Sequence, residues 1–137
     1  MPLTLEIVTP DATVYSEEVD HVVVPTANGK IDVLPHHVPV IGKLIAGDLK
    51  VVKNGTIEYL AVSSGFVEVY SEKVSILTDE ALKINEQDDS KIDEAVKRAQ
   101  KALTEGKESN LDLAAIQKLE AATRFALAQQ IAKGKSR

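Results

Sequence analysis

Residues 49–62 read LKVVKNGTIEYLAV. Two runs rich in Val, Leu, Ile and Tyr flank Asn54-Gly55. A type I′ turn prefers that dipeptide, because both of its central residues need positive φ. The stretch therefore predicts a β-hairpin, and its surroundings continue the pattern. LTLEIV (3–8) alternates apolar and polar residues, and EEVDHVVVPT (17–26) is a β-branched run ended by Pro25. FVEVY (66–70), the turn Ser71-Glu72-Lys73 and VSILTD (74–79) make a second hairpin. Gly65 stands where one strand gives way to the next, as a turn or a bulge. Short strands, closely spaced turns and no helical period predict an antiparallel β-sandwich or flattened barrel of about ten strands. We place it over residues 1–84.

Near residue 80 the period changes. SKIDEAVKRAQKAL (90–103) puts Ile92, Ala95, Val96, Ala99, Ala102 and Leu103 on one helical face. Ser90 reads as its N-cap, with Asp93 three residues on, and Gly106 as its end. GKESN (106–110) is then a connector. A second helix starts at Ser109 or Asn110, runs through LDLAAIQKLEAATRFALAQQIA (111–132) for roughly 33 Å, and ends at Gly134. Its many alanines let two helices approach closely, so residues 85–137 read as an antiparallel helical hairpin. The whole is an α+β chain. Alanines bury little area, and at roughly 25 cal/mol per Å² the hairpin's grip on the sheet is modest. Helix propensity is high, so this element can stay helical while changing its docking. EQDDS (86–90) is polar and acidic, and we read residues 85–90 as the hinge.

The chain has 137 residues and no Cys, which excludes disulfides, cysteine zinc sites and thiol redox control. No apolar run approaches the roughly 20 residues of a membrane span, and the N-terminal residues do not resemble a signal peptide. A cytoplasmic-side protein is expected, with peripheral attachment to a membrane complex allowed. The net charge of −5 argues against nucleic acid. Residues 1–84 carry 6 Lys/Arg against 12 Asp/Glu, and residues 85–137 carry 10 against 9. After Glu120 only Arg124, Lys133, Lys135 and Arg137 are charged. The chain thus ends in a basic tip whose natural partner is an acidic surface.

Catalytic patterns are missing from the sequence. His36 and His37 are adjacent, and neighbouring side chains on an extended strand point to opposite faces, which disfavours a shared metal. No HExxH, GxSxG, GxxxxGK or GxGxxG motif occurs. His21, beside Val22–Val24, reads as a satisfied structural histidine. Asp88-Asp89 lies in the solvated linker. We expect no metal, no cofactor and no catalytic residue. Two features remain. One is the segment 29–42, where Pro35 and Pro39 remove backbone donors and forbid a central strand. Its Leu34, Val38, Val40 and Ile41 are a lid over the sandwich or a contact surface. The other is the basic end of the second helix, which also favours the helix dipole.

These segments resemble the epsilon subunit of F-type ATP synthases. The resemblance covers essentially the whole chain. It is most specific where Gly29, Leu34, Pro35, His37 and Pro39 match a G-x-x-x-x-L/Y-P-x-H-x-P pattern, and where SSGFVEV (63–69) matches at Gly65 and Phe66. VTPDATVY (8–15) looks most like the cyanobacterial and chloroplast branch, which implies a thylakoid location. The resemblance implies a non-catalytic rotor subunit in the central stalk, monomeric when isolated. It would couple proton-driven rotation to ATP synthesis. Its implied partners are the gamma subunit, the c-subunit ring and the alpha/beta catalytic head. The 29–39 loop would dock on gamma and the ring, with His37 near the ring's polar loops. The helices would extend into the head and inhibit ATP hydrolysis, with Arg124, Lys118, Lys133 and Lys135 meeting an acidic segment of beta. Some relatives bind ATP through I/L-D-x-x-R-A. Here Ile92 and Asp93 match, but Val96 and Lys97 replace the Arg and Ala, removing a bidentate phosphate contact. Ala115 and Ala122 stand where ATP binders supply arginines. Weak or absent ATP binding is expected.

Two other classes stand beside this one. A β-sandwich ligand-binding module with a helical dimerisation arm would lose dimerisation without residues 85–137. A small hydrolase using His36 or His37 would lose turnover on either His→Ala change.

Overall fold

A computed structural model describes residues 3–84 and 89–136. The strands are β1 (Leu3–Val8), β2 (Thr13–Val19), β3 (His21–Thr26), β4 (Gly29–Val33), β5 (Val40–Leu44), β6 (Gly47–Lys53), β7 (Thr56–Val62), β8 (Gly65–Tyr70), β9 (Lys73–Thr78) and β10 (Ala81–Lys83). Two helices follow, α1 (Asp89–Glu108) and α2 (Leu113–Ser136). The strand order is β10-β7-β6-β3-β5-β8-β9-β1-β2, with β4 paired to β3. The expected run 17–26 divides at Asp20 into the end of β2 and β3, and Pro25 lies inside β3.

The deciding hairpin forms as its sequence requires. Asn54 and Gly55 have φ of 51° and 78°, and Lys53 faces Thr56 across the turn. The second hairpin is tighter than expected. Lys73 joins β9 opposite Tyr70, leaving a two-residue turn of Ser71 and Glu72. Among the described residues every strand pairing is antiparallel except β1 with β9. The two ends of the strand order meet. Lys83 Nζ of β10 sits 5.7 Å from the ring centre of Tyr15 on β2, and Lys53 of β6 bonds Glu17 of β2 at 3.1 Å. The sheet thus folds over on itself around Leu3, Leu5, Ile7, Val22, Leu49, Leu60, Val67 and Ile76, all fully buried. Alternation in β1, β8 and β9 supplies much of this core, whereas β7 ends buried on both faces, with Ala61 turned away from it.

Gly65 resolves as a close approach rather than a turn or bulge. A Cβ built there would lie 1.9 Å from the Leu77 carbonyl oxygen of β9, so only glycine lets the strands pair at Gly65↔Thr78.

α1 carries the expected face: Ile92 and Val96 are buried, and Ala95, Ala99, Ala102 and Leu103 half-buried. Its ends differ from expectation. Ser90 is the second helical residue and not the cap. Gly106 is buried inside α1, where a side chain would collide with Leu111 and Leu119. The helix closes instead on Asn110 at φ 57°, with Asn110 N–H donating to Lys107 O and Leu111 N–H to Gly106 O. That is the Schellman arrangement, so Asn110 ends α1 and does not begin α2. Asp112 begins α2: its side chain accepts the Ala115 N–H at 2.8 Å. α2 passes through Gly134. Gly134 has open space around it, so neither packing nor an obligatory left-handed turn stops the helix there. Of the hinge expected at 85–90, residues 85–88 lie outside the described residues.

The hairpin packs on β6 and β7. Phe125, Ala128 and Ala132 of α2 cover Ala61 and Ile84, with Tyr59 and Leu82 at the margin. One large side chain and a row of alanines make this a thin interface, separate from the sandwich core.

Candidate functional site

The segment 29–42 is two strands joined by a short loop at residues 34–39. Gly29 has φ 110°, which a side chain would resist, and it opens β4 after the Ala27-Asn28 turn. His37 N–H donates to Leu34 O at 3.2 Å, closing a turn over Leu34-Pro35-His36-His37. Pro35 sits second and His36 third with φ 68°, the signature of a type II turn. The two histidines part ways. His36 Nδ1 lies 3.1 Å from Glu72 Oε1, tying the loop to the β8–β9 turn. His37 Nδ1 donates to Val38 O at 2.7 Å, so Nε2 is the ring nitrogen left for another partner. His21 pairs with Asp32 at 2.8 Å, as a structural histidine.

The choice between lid and contact surface now has an answer. Val40 packs on the core, but Leu34, Val38 and Ile41 are 51 %, 70 % and 76 % exposed. The exposure continues along the outer face of β5, β8 and β9. Lys43, Phe66, Leu77 and Val8 lie in register across four strands. Phe66, Tyr70 and Leu77 are half exposed or more. Beside Phe66 and Leu77, Val8, Thr9 and Pro10 line a shallow groove of about 570 Å³. Exposed apolar side chains thus recur on this face, interleaved with Lys43 and Glu68, and a patch of this kind suits an interaction surface. The sequence carried a signal for it. In FVEVY, Glu68 lies between Phe66 and Tyr70, so both aromatics share its outward face while Val67 and Val69 turn inward.

The helical candidates separate. Lys118 and Arg124 are exposed. Lys133 and Lys135 instead turn to the sandwich: Lys133 Nζ lies 3.5 Å from Ile84 O, and Lys135 Nζ 2.8 Å from Asp48 Oδ2. Ile92 is buried, and Asp93 Oδ1 accepts from Gln130 of α2 at 3.0 Å. No helix among the described residues is long and apolar enough to cross a membrane.

Comparison with known proteins identifies the family of this fold. The family described as "ATP synthase, Delta/Epsilon chain, beta-sandwich domain" matches residues 2–84. The ATP synthase epsilon chain of Herpetosiphon aurantiacus is 41 % identical over 114 residues, covering 83 % of each chain. That of Dehalococcoides mccartyi is 46 % identical over 104 residues, covering 75 % of this chain and 74 % of the relative. A chain in the Euglena gracilis mitochondrial ATP synthase structure (OSCP/F1/c-ring in rotational state 1) superposes with a TM-score of 0.75 at 25 % identity. The superposition covers 96 % of this chain and 81 % of that one. These relatives and that of Halalkalibacterium halodurans do not single out the cyanobacterial and chloroplast branch. That narrower expectation, and the thylakoid location drawn from it, are therefore withdrawn. VTPDATVY is a strand, a turn and a strand, and such a segment is shaped by the fold more than by one lineage. A sandwich matched end to end by the family and a relative alike along most of its length lead to one assignment: this chain belongs to the ATP synthase delta/epsilon family, as an epsilon chain.

Proposed function

We propose that this chain is a non-catalytic rotor subunit of the central stalk in a proton-translocating ATP synthase. Residues 1–84 form its anchor and residues 85–137 its movable regulatory arm. The observation that carries the reading is the uncovered apolar face of β5, β8 and β9, continuous with the 34–39 loop. One half of the folded sheet is covered by α2, and this other half is left for a partner. The gamma subunit covers Phe66, Leu77 and Tyr70. Leu34, Pro35, His37 and Pro39 meet the polar loops of the c-ring, with His37 Nε2 offered for a hydrogen bond. Likeness to a chain of a solved F1/c-ring assembly, and to epsilon chains of bacteria, supports these partners in general.

The arm inhibits ATP hydrolysis when it leaves the sandwich and carries Lys118, Arg124, Lys133 and Lys135 to an acidic segment of beta in the alpha/beta head. The thin, alanine-built interface supports a release of this kind. The anchor is tested by Phe66→Glu, which places a charge at the centre of the face without touching the core. Affinity for gamma, measured by titration calorimetry, falls at least tenfold. Unchanged affinity would remove gamma from this face.

A further inference from the structure

Asp48 of β6 is the single charged residue that the fold buries among the described residues. Its two oxygens take two cations from different elements. Lys30 Nζ of β4 lies 3.4 Å from Oδ1, and Lys135 Nζ of α2 lies 2.8 Å from Oδ2. The carboxylate side chain is 9 % exposed, while the two lysine side chains are 49 % and 42 % exposed. Water can therefore replace Asp48 for a departing Lys135 far better than it can replace Lys135 for Asp48. Burial pushes the Asp48 carboxyl up. The hydrogen bond and charge of Lys135, with the charge of Lys30, outweigh it and hold the group below its ordinary range. The Lys135 ammonium is in turn held above its ordinary range, chiefly by the hydrogen bond to Asp48. Removing one partner of such a pair leaves a buried charge with only its longer contact, which is the costly way to break it.

This contact lies at the end of α2, beyond the apolar patch of Phe125, Ala128 and Ala132, so the thin interface finishes on a short charged contact. Nothing in the local sequence announces it, because the partners are 87 residues apart.

We propose that Asp48 is a latch: it and the acidic surface of the hairpin's partner are rival acceptors for Lys135. The docked arm thereby conceals one of the cations it uses on that partner. The inference rests on the reading above that the arm leaves the sandwich to act. Water can hydrate the freed Lys135, but an acidic partner offers it a charged acceptor in place of Asp48, so the charge of the contact suits a carboxylate surface as the rival. Asp48 serves the docked state alone, whereas Lys135 serves both.

The test uses the full chain. Having no cysteine, it accepts Ile57→Cys and Ile131→Cys spin labels without interference. Both positions are exposed, one on the sandwich and one on α2. Pulsed dipolar spectroscopy then reads docked against undocked arms. Asp48→Asn and Lys135→Gln each raise the undocked-to-docked ratio several-fold, and the double variant raises it no further than either single one. Lys135→Gln leaves the sandwich untouched, so the test survives any loss of fold in Asp48→Asn. Against the assembled alpha-beta-gamma head, Asp48→Asn inhibits hydrolysis at a several-fold lower concentration than the parent chain. An unchanged ratio in both single variants, or effects that simply add, overturns the latch. A parent chain that inhibits while Asp48→Asn inhibits no better overturns the latch alone. A parent chain that does not inhibit overturns the functional reading.

Discussion

At the scale of single residues, backbone geometry and close approach decide more than side-chain chemistry. Asn54 and Gly55 were legible because their positive φ values are a local demand of a two-residue turn. His36 was not, because a histidine at the third position of a type II turn is unusual, and Pro35 alone does not reveal it. Gly65 stands out in the sequence as a turn or bulge candidate, but its role in the structure is another. Its φ is unremarkable, and what requires glycine is the Leu77 carbonyl against it. The replacement Gly65→Ala must push β8 from β9. We expect a loss of about 3 kcal/mol, the upper part of the usual range for overpacking. Urea unfolding followed by circular dichroism measures it. A loss below about 0.5 kcal/mol, the scale of neutral surface changes, would show that the strands part without strain.

At the scale of elements, periodicity identified strands and helices, and the hairpins followed from turn chemistry. What escaped was non-local. The parallel pairing of β1 with β9 joins segments separated by most of the sandwich, and no turn between them specifies it. Helix ends escaped for another reason. Glycine is a common terminator, but Gly106 serves a close contact with Leu111 and Leu119, while Asn110 and Asp112 end and begin the helices. In β8, Glu68 marks the outward face that Phe66 and Tyr70 share, but alternation alone does not say that such a face carries a partner. The helical pair also bears on nucleotide binding. Val96, at the position of the motif's arginine, is buried, and Asp93 is engaged by Gln130. A buried valine supplies no phosphate donor. Titration of the isolated chain with ATP is expected to show no binding at micromolar concentration, and saturation in that range would refute this account of α1.

At the scale of the molecule, two apolar clusters do separate jobs. The sandwich core draws only on residues before position 84, and the patch beneath α2 is small. A chain ending at Ile84 keeps its core whole and is expected to fold. It exposes Ala61, Leu82 and Ile84 on the face that α2 covered. The charge asymmetry of the sequence becomes spatial here. The acidic sandwich holds the basic end of α2 through Asp48, so the arm is docked by the same charges that suit it to another acidic surface. The sequence showed the basic tip but not its internal acceptor.

The central claim is that the sandwich anchors and the hairpin brakes. The most direct measurement is ATP hydrolysis by a reconstituted alpha-beta-gamma head, with the full chain and with the chain ending at Ile84. We predict that both bind gamma with similar affinity and that only the full chain inhibits. Equal inhibition by the two would contradict the account, because the brake would then lie in the sandwich and Arg124 would have no part in it.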